Sequence, residues 1–395
     1  MIRTIQIEGF KSIASQTLEL GRVNCFIGAN GVGKSNILEA IGILGAAATG
    51  RVDDESLLRR GVRAGTPRLF KTAFAGLRVS PHITLSAEAD DGAKYKIALL
   101  NPLEDPEPAW SFKTEKLSDK GKDIVSRGVR SENLTPTAGL AALRLVDLPS
   151  KSAGARLMQG LRDYSIYCPN TPTLRGIIPD TQTRSPVGLS GGRLAEAFEE
   201  LMGSLVAIED EAGEELYFGI LELLDWVDFV DVTNTPGSLL SPSVSRGRLV
   251  LRFTDRFMNQ NRNQLTAYDA SEGALYVLFS AILCLAGDSP QLIAVDNLDQ
   301  ALNPRLITRL TERLSPWLQA RAGDRQLLFT AHNPAVLDGL DLTDDEVRLF
   351  AVDRNSKGHT SCRRIQPTAE LLALNSEYPL SRLWLMGRLG AVPNV

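Results

Sequence analysis

Ile2 to Glu8 alternates apolar and polar residues, the period-2 pattern of a half-buried strand. Leu18 to Leu20 predicts a second strand. Val23 to Ile27 predicts a fully buried one that stops at Gly28. From Ser35 to Ala46 the period changes: Ile37, Leu38, Ile41, Ile43 and Leu44 recur at helical spacing. The glycine-rich stretch Gly28 to Gly33 therefore lies between a strand and a helix. Residues 50–75 are basic and mixed and predict helix and loop. His82 to Ala87 and Lys94 to Leu100 predict a hairpin around Asp90-Asp91-Gly92. Lys113 to Ser131 is polar and is expected to be mobile.

Further along, residues 137–164 predict helix, Ser165 to Cys168 a short strand, and Thr171 to Pro186 turns. Leu194 to Leu205 and Glu209 to Leu224 read as helices, and Arg246 to Phe253 as an alternating strand. Gly273 to Leu285 is apolar almost throughout and predicts a buried helix. Gln291 to Val295 and Gln326 to Thr330 are short apolar runs, the mark of buried strands, with a helix from Pro304 to Gln319 between them. Val347 to Asp353 and Ser361 to Ile365 predict late strands. Strands and helices alternate at both ends of the chain, so the expected class is α/β. We divide the chain into an N-terminal lobe (1–136), a helical insertion or lid (137–235) and a C-terminal part (236–395).

With 395 residues there is room for one large domain or two. The formal net charge of −4 gives no global attraction to nucleic acid. A DNA contact would need a local patch, either Arg246, Arg248, Arg252, Arg256 and Arg262 or the stretch Lys113 to Arg130. The same residues suit solvated strand edges and loops better than a nucleic-acid surface. Cys25, Cys168, Cys284 and Cys362 form no CxxC pair, and His82, His332 and His359 show no metal-ligand spacing. The N-terminus lacks the apolar core of a signal peptide. The longest apolar run, Ala274 to Gly287, has about 14 residues and is too short to span a bilayer. A cytoplasmic protein with no membrane contact is expected.

Gly28-Ala-Asn30-Gly31-Val-Gly33-Lys34-Ser35 matches G-x-x-x-x-G-K-[ST]. In such a loop the glycines let backbone N–H groups close around phosphate oxygens. Lys34 adds a cation at the outer phosphates, and the Ser35 hydroxyl can hold Mg²⁺. The following helix aims its positive end at the same anion. Asp296 ends an apolar strand, where a carboxylate can hold Mg²⁺ opposite the P-loop serine. His332 ends another, within reach of a γ-phosphate.

Gly9-Phe10-Lys11-Ser12, the P-loop through Asn36, the strand ending at Asp296, Leu302-Asn303-Pro304 and His332 together resemble the ABC-type ATPases of the SMC, RecF and OLD group. The resemblance implies an ABC-type ATPase head with a mixed sheet, binding ATP and Mg²⁺ through Lys11, Asn30, Gly31, Gly33, Lys34, Ser35 and Asn36, with Ser35 and Asp296 at the metal. It also implies a homodimer or higher oligomer in which each ATP lies between one P-loop and a signature loop of the other subunit. Leu189-Ser190-Gly191-Gly192-Arg193 looks nearer to LSGGQ. Ala270-Ser271-Glu272-Gly273 directly opens a helix before Asp296, and we assign Ser271 and Gly273 to the signature. Ser190 to Arg193 is expected as an N-cap and helix start.

Two positions depart from that group. Asn297 stands where the catalytic glutamate is usual, with Asp299 nearby as a substitute base or as part of a subunit contact. No glutamine occurs between Ser35 and Gln159 to serve a Q-loop, and His82 is one stand-in. Slow hydrolysis is expected, with catalytic roles confined to Asp296, Asn297, Asp299 and His332. There are no coiled-coil arms, and the roughly 60 residues after His332 leave no room for a TOPRIM nuclease. The expected function is an ATPase that assembles around ATP and regulates a separate nuclease or toxin in anti-phage defence. The alternatives are a RecF-like DNA-repair clamp and an ATP-dependent scaffold.

Overall fold

The computed structural model describes the chain apart from residues 77–79, 129–134, 207–211, 236, 245–246, 322 and 391–395. β1 (Ile2–Phe10) and β2 (Ile13–Glu19) form an antiparallel hairpin. β2 is longer than the predicted Leu18 to Leu20 because Ile13 also faces inward, opposite Phe10. β3 (Val23–Ile27) is buried at every position and leads through the glycine loop into α1 (Lys34–Ala48). Helix α1 is buried along almost its full length, and small residues let its neighbours approach. A Cβ on Gly42 would come within 2.3 Å of Val62, and one on Gly45 within 2.5 Å of the Leu161 carbonyl.

Two short helices follow, α2 (Asp54–Leu58) and α3 (Pro67–Phe70). β4 (Ile83–Ala89) and β5 (Lys94–Leu100) make the predicted hairpin, and β6 (Ser111–Asp119) and β7 (Lys122–Arg127) extend it. The antiparallel sheet runs β2-β1-β4-β5-β6-β7. The stretch expected to be mobile is therefore largely strand, although 129–131 lie outside the described residues. Its charges obscured the alternation: Phe112, Leu117 and Val125 face inward, while Lys116 pairs with Asp123 outside at 3.0 Å. Buried Glu115 is satisfied by the Tyr95 hydroxyl at 3.0 Å and by the backbone N–H groups of Leu140 and Ala141 at 2.6 and 3.0 Å.

The stretch 137–235 contains α4 (Leu140–Arg144), α5 (Ala153–Asp163), β8 (Ser165–Tyr167), α6 (Thr171–Leu174), α7 (Leu194–Val206), α8 (Ala212–Leu221) and β9 (Val227–Thr233). Strand β8 belongs to the central sheet, beside the strand that ends at Asp296. Ser190 is not an N-cap. α7 starts only at Leu194, and the backbone N–H groups of Ser190 and Gly192 donate to the Asp180 carboxylate at 2.8 and 3.3 Å. β9 pairs with β10 (Val250–Asp255), which pairs with β11 (Gln264–Thr266), in a small antiparallel sheet. The predicted strand Arg246 to Phe253 is thus shifted towards its C-terminal end, and Arg246 lies outside the described residues. Arg252 is paired with Asp231 on this sheet.

The remaining elements are α9 (Glu272–Leu285), β12 (Leu292–Val295), α10 (Pro304–Gln319), β13 (Gln326–Ala331), β14 (Val347–Arg354), β15 (Thr360–Arg364), α11 (Ala369–Glu377) and α12 (Leu380–Leu385). The central sheet has the order β15-β14-β3-β13-β12-β8, parallel except for β15. Its strands are apolar on both faces. Phe26, Leu328, Leu292 and Ala294 join the core around α1, while Cys25, Ile27, Phe329, Ile293 and Val295 join the core around α9 and α10. The parallel strands all end on one edge, and ligands of open α/β sheets bind in the crevice outside such ends. On that edge lie Gly28, Cys168, Asp296 and His332.

Candidate nucleotide-binding site

The P-loop closes tightly against the C-terminal hairpin. A Cβ on Gly33 would meet the Thr360 hydroxyl at 2.2 Å and the Ser12 hydroxyl at 2.8 Å. Thr360 Oγ1 donates to the Val32 carbonyl at 2.7 Å, Ser12 and Thr360 share a 2.7 Å bond, and Asn36 Nδ2 donates to Ser12 Oγ at 2.7 Å. Arg354 Nε donates to the Gly31 carbonyl at 3.1 Å. Asn30 and Gly31 are exposed at the turn of the loop.

Lys34 is buried, and its ammonium donates to the carbonyls of Gly28 and Ala29 at 2.8 and 3.0 Å. No carboxylate forms an ion pair with it among the described residues. Burial lowers its pKa from the ordinary 10.5 to about 8, against the opposing pull of Asp296 and Asp299. A buried cation held only by neutral acceptors suits a polyphosphate. Phosphate favours the charged form, so above about pH 8 binding must take up a proton. ATP affinity should then fall as pH rises, approaching tenfold per unit. Dissociation constants measured from pH 7 to 9.5 check this, with Lys34→Arg expected to flatten the profile.

Ser35 Oγ donates to Asp296 Oδ1 at 3.1 Å, so strand β12 brings the carboxylate to the P-loop serine. Thr330 at the end of β13 was not anticipated. Its hydroxyl donates to Asp296 Oδ1 at 2.6 Å and accepts from the Asn297 N–H at 2.8 Å, which fixes both residues. The Ser35 hydroxyl and the Asp296 carboxylate are hard oxygen donors, and together they would suit a cation such as Mg²⁺. No cluster of three or more His, Cys, Asp or Glu ligands occurs among the described residues.

His332 lies between the two halves of the site. Its Nδ1 is 3.3 Å from the Lys34 ammonium, and its Nε2 is 3.1 Å from Asn297 Oδ1. Burial, followed by the Lys34 charge, lowers its pKa. The neutral ring therefore accepts at Nδ1 and donates from Nε2–H to the amide oxygen. Asn297 is held in the left-handed region, with φ 59°. Asp299 ties down the neighbouring turn. Its Oδ2 accepts the backbone N–H groups of His332 and Asn333 at 2.9 and 2.5 Å, which fastens the turn carrying the histidine. Its Oδ1 is buried and has no hydrogen-bond partner among the described residues.

A second unanticipated group surrounds Glu39 on α1. This buried carboxylate pairs with Lys11 and accepts from Arg63 Nε at 2.6 Å. Burial pushes its pKa up, but the two cations outweigh that and hold it below the usual carboxylate range. Lys11 also lies over the rings of Phe10 and Phe70, at 5.4 and 5.2 Å. Its ammonium is thus committed to Glu39 and these rings. Arg63 keeps two-thirds of its side chain exposed and feels the charge of Asp296. It was lost among the basic residues of 50–75.

Ser271 and Gly273 form a separate, outward-facing group. Ser271 caps α9 by accepting from the Ala274 N–H at 3.4 Å. Gly273 packs near Ala301 and Leu302, next to Asn303, which caps α10 by accepting from the Leu306 N–H at 2.9 Å. No hydrogen bond or ion pair joins Ser271 or Gly273 to the P-loop among the described residues. His82 is likewise elsewhere, near Lys71 and Lys113 at the start of β4. The residue that adjoins Asp296 from the neighbouring strand end is Cys168, an exposed free thiol.

The fold is that of an SMC-type ABC ATPase head, and the P-loop with Asp296 and His332 at the strand ends supports an ABC-type, SMC- or RecF-like ATPase. Residues 147–338 match the family described as "AAA domain, putative AbiEii toxin, Type IV TA system", and residues 1–64 match an AAA ATPase domain. The chain is similar to the DNA replication and repair protein RecF of Paenarthrobacter aurescens (strain TC1), with 33% identity over 101 residues. That match spans 25% of this chain and 25% of the curated relative. Among solved structures, an SMC head bound to the C-terminal winged-helix domain of ScpA gives a TM-score of 0.54 at 12% identity, covering 94% of this chain and 99% of the other. The SMC head with an extended coiled coil, bound to the C-terminal domain of ScpA derived from Pyrococcus furiosus, gives 0.51 at 11% identity, covering 95% and 99%. Among the described residues no helix is long and apolar enough to cross a membrane.

Proposed function

We propose that this chain is a cytoplasmic ATP-dependent switch. It dimerises around ATP and Mg²⁺, hydrolyses ATP slowly, and regulates a separate effector, a nuclease or toxin, in anti-phage defence. The observation that carries slow hydrolysis is Asn297. Its amide is bonded to His332 at 3.1 Å where a carboxylate would be needed to accept a proton from water. The parts that bind phosphate have no such defect.

Within one subunit Lys34 grips the outer phosphates, Ser35 and Asp296 hold the metal, and His332 offers an N–H donor beside them. The capped end of α9 at Ser271 faces outward, which supports its acting on the ATP of a second copy. The toxin–antitoxin term in the matched family description supports the effector reading. A second reading is a RecF-like clamp on duplex DNA, supported by the similarity to RecF. Salt-dependent DNA binding that requires ATP would favour it. An ATP-dependent scaffold with no significant turnover is the third.

Solution mass with and without ATP tests the switch. We expect ATP to convert monomer to dimer or a higher oligomer and Lys34→Ala to abolish the conversion. A mass that ignores ATP would sink the proposal.

A further inference from the structure

Arg175 follows helix α6 and reaches across to the loop that feeds the signature. Its Nη1 donates to the Tyr268 carbonyl and its Nη2 to the Ala270 carbonyl, the latter at 3.0 Å. Ala270 directly precedes Ser271. Two bonds from one planar guanidinium therefore fix the entry to α9 in both position and orientation. The other end of this strap lies at the nucleotide site. The Asp296 N–H donates to the Tyr167 carbonyl of β8 at 2.9 Å.

The seven residues between are held at several points. The Cys168 N–H donates to the Leu189 carbonyl at 2.8 Å, and the Tyr276 hydroxyl of α9 donates to the Pro169 carbonyl at 3.2 Å. Asn170 Oδ1 accepts from the Thr173 N–H at 3.1 Å, which caps α6. The strap is thus an ordered connection from β8 to its arginine.

We propose that Arg175 is a positioning residue for the signature loop. It sets Ser271 and Gly273 for the neighbouring subunit's ATP and ties their placement to the strand beside the same subunit's Asp296. This rests on the reading that ATP is shared across a dimer.

The test uses the full-length protein. Arg175→Ala should bind ATP within about twofold of wild type in calorimetry, because the P-loop is untouched. It should turn ATP over about tenfold more slowly, as a misplaced contact does. The defect must act on the other subunit. An equimolar mixture of Arg175→Ala and Lys34→Ala should turn ATP over faster than the sum of the two variants alone, because a mixed dimer can close on one intact site, the P-loop of one variant against the signature of the other. Ser271→Ala mixed with Lys34→Ala is the reference.

Wild-type turnover in Arg175→Ala overturns the assignment. So does recovery in the reference mixture but none with Arg175→Ala, which leaves the shared-site reading standing. If the reference mixture itself shows no recovery, the shared site falls and this inference falls with it. Should Arg175→Ala not fold, Arg175→Lys carries the same test, because an ammonium cannot hold both carbonyls in the same geometry.

Discussion

Asn297→Glu should raise the rate of ATP hydrolysis by about a hundredfold, the low end of what a positioned general base contributes. The structure gives the reason. Asn297 follows Asp296 at the end of β12, and its backbone is pinned by the Thr330 hydroxyl at 2.8 Å. Its side chain already points at His332. A carboxylate there would accept the Nε2–H as the amide oxygen does and could also take a proton from water. The substitution has a cost, because φ at this position is 59°. Asparagine tolerates that region better than glutamate, so a loss of about 1 kcal/mol in stability is expected alongside the gain in rate. Steady-state turnover and a thermal melt on the same sample measure both. Unchanged turnover would show that another group serves as base and that the wild-type enzyme is no slow switch. Asp299 is the other carboxylate to test, with two backbone N–H groups on its Oδ2 and no hydrogen-bond partner on its Oδ1 among the described residues.

Gly28→Ala should remove ATP binding, with an affinity loss above about a hundredfold, and should also destabilise the fold. A Cβ at this position would lie 2.0 Å from the Val352 carbonyl, a backbone atom of β14 that cannot swing aside. The φ of 153° adds strain for any residue with a side chain. Overpacking and strain together cost about 3 kcal/mol, which in a chain of this length lowers the melting temperature by about 4 °C. Relief requires the P-loop to move off β14. That movement would displace the Gly28 carbonyl, one of the two that hold the Lys34 ammonium. Gly31→Ala provides the contrast. No atom lies within 4 Å of its Cβ, so only the cost of its φ of 76° remains, about 1 kcal/mol. Equal melting temperatures for the two variants would show that the contact with β14 is not what holds the loop.

The parts of the site that were legible in the sequence are those that local order alone produces. A P-loop needs a strand, a turn and a helix in succession, and Asp296 and His332 each end an apolar run too short for anything but a buried strand. The helix that opens at Ser271 was legible because its apolar run is continuous. What could not be read depends on distant pairing. Glu39 joins Lys11 and Arg63 from three separate segments, and nothing in a basic stretch distinguishes Arg63 from Arg59 or Arg68. Arg175 acts on carbonyl groups more than ninety residues away. Strands β6 and β7 were hidden because their exposed faces carry lysines and acids that outnumber the apolar signal. β8 was read as the short strand Ser165 to Cys168, but its place beside β12 exists only in the folded sheet.

The order of strands in the central sheet also governs when the site can exist. β3 carries the P-loop, yet its partners on both sides, β13 and β14, are synthesised about 300 residues later. The Asn24 amide bonds across 303 positions to the Leu327 carbonyl. At about 5–20 residues per second, a ribosome needs roughly 15–60 s to supply that partner. During this interval the nascent chain carries five consecutive strand residues, all destined for burial, with neither neighbour present. The nucleotide loop therefore cannot organise as it leaves the ribosome. Competence to bind ATP should appear abruptly once β13 and β14 emerge, and until then β3 is a natural binding segment for chaperones.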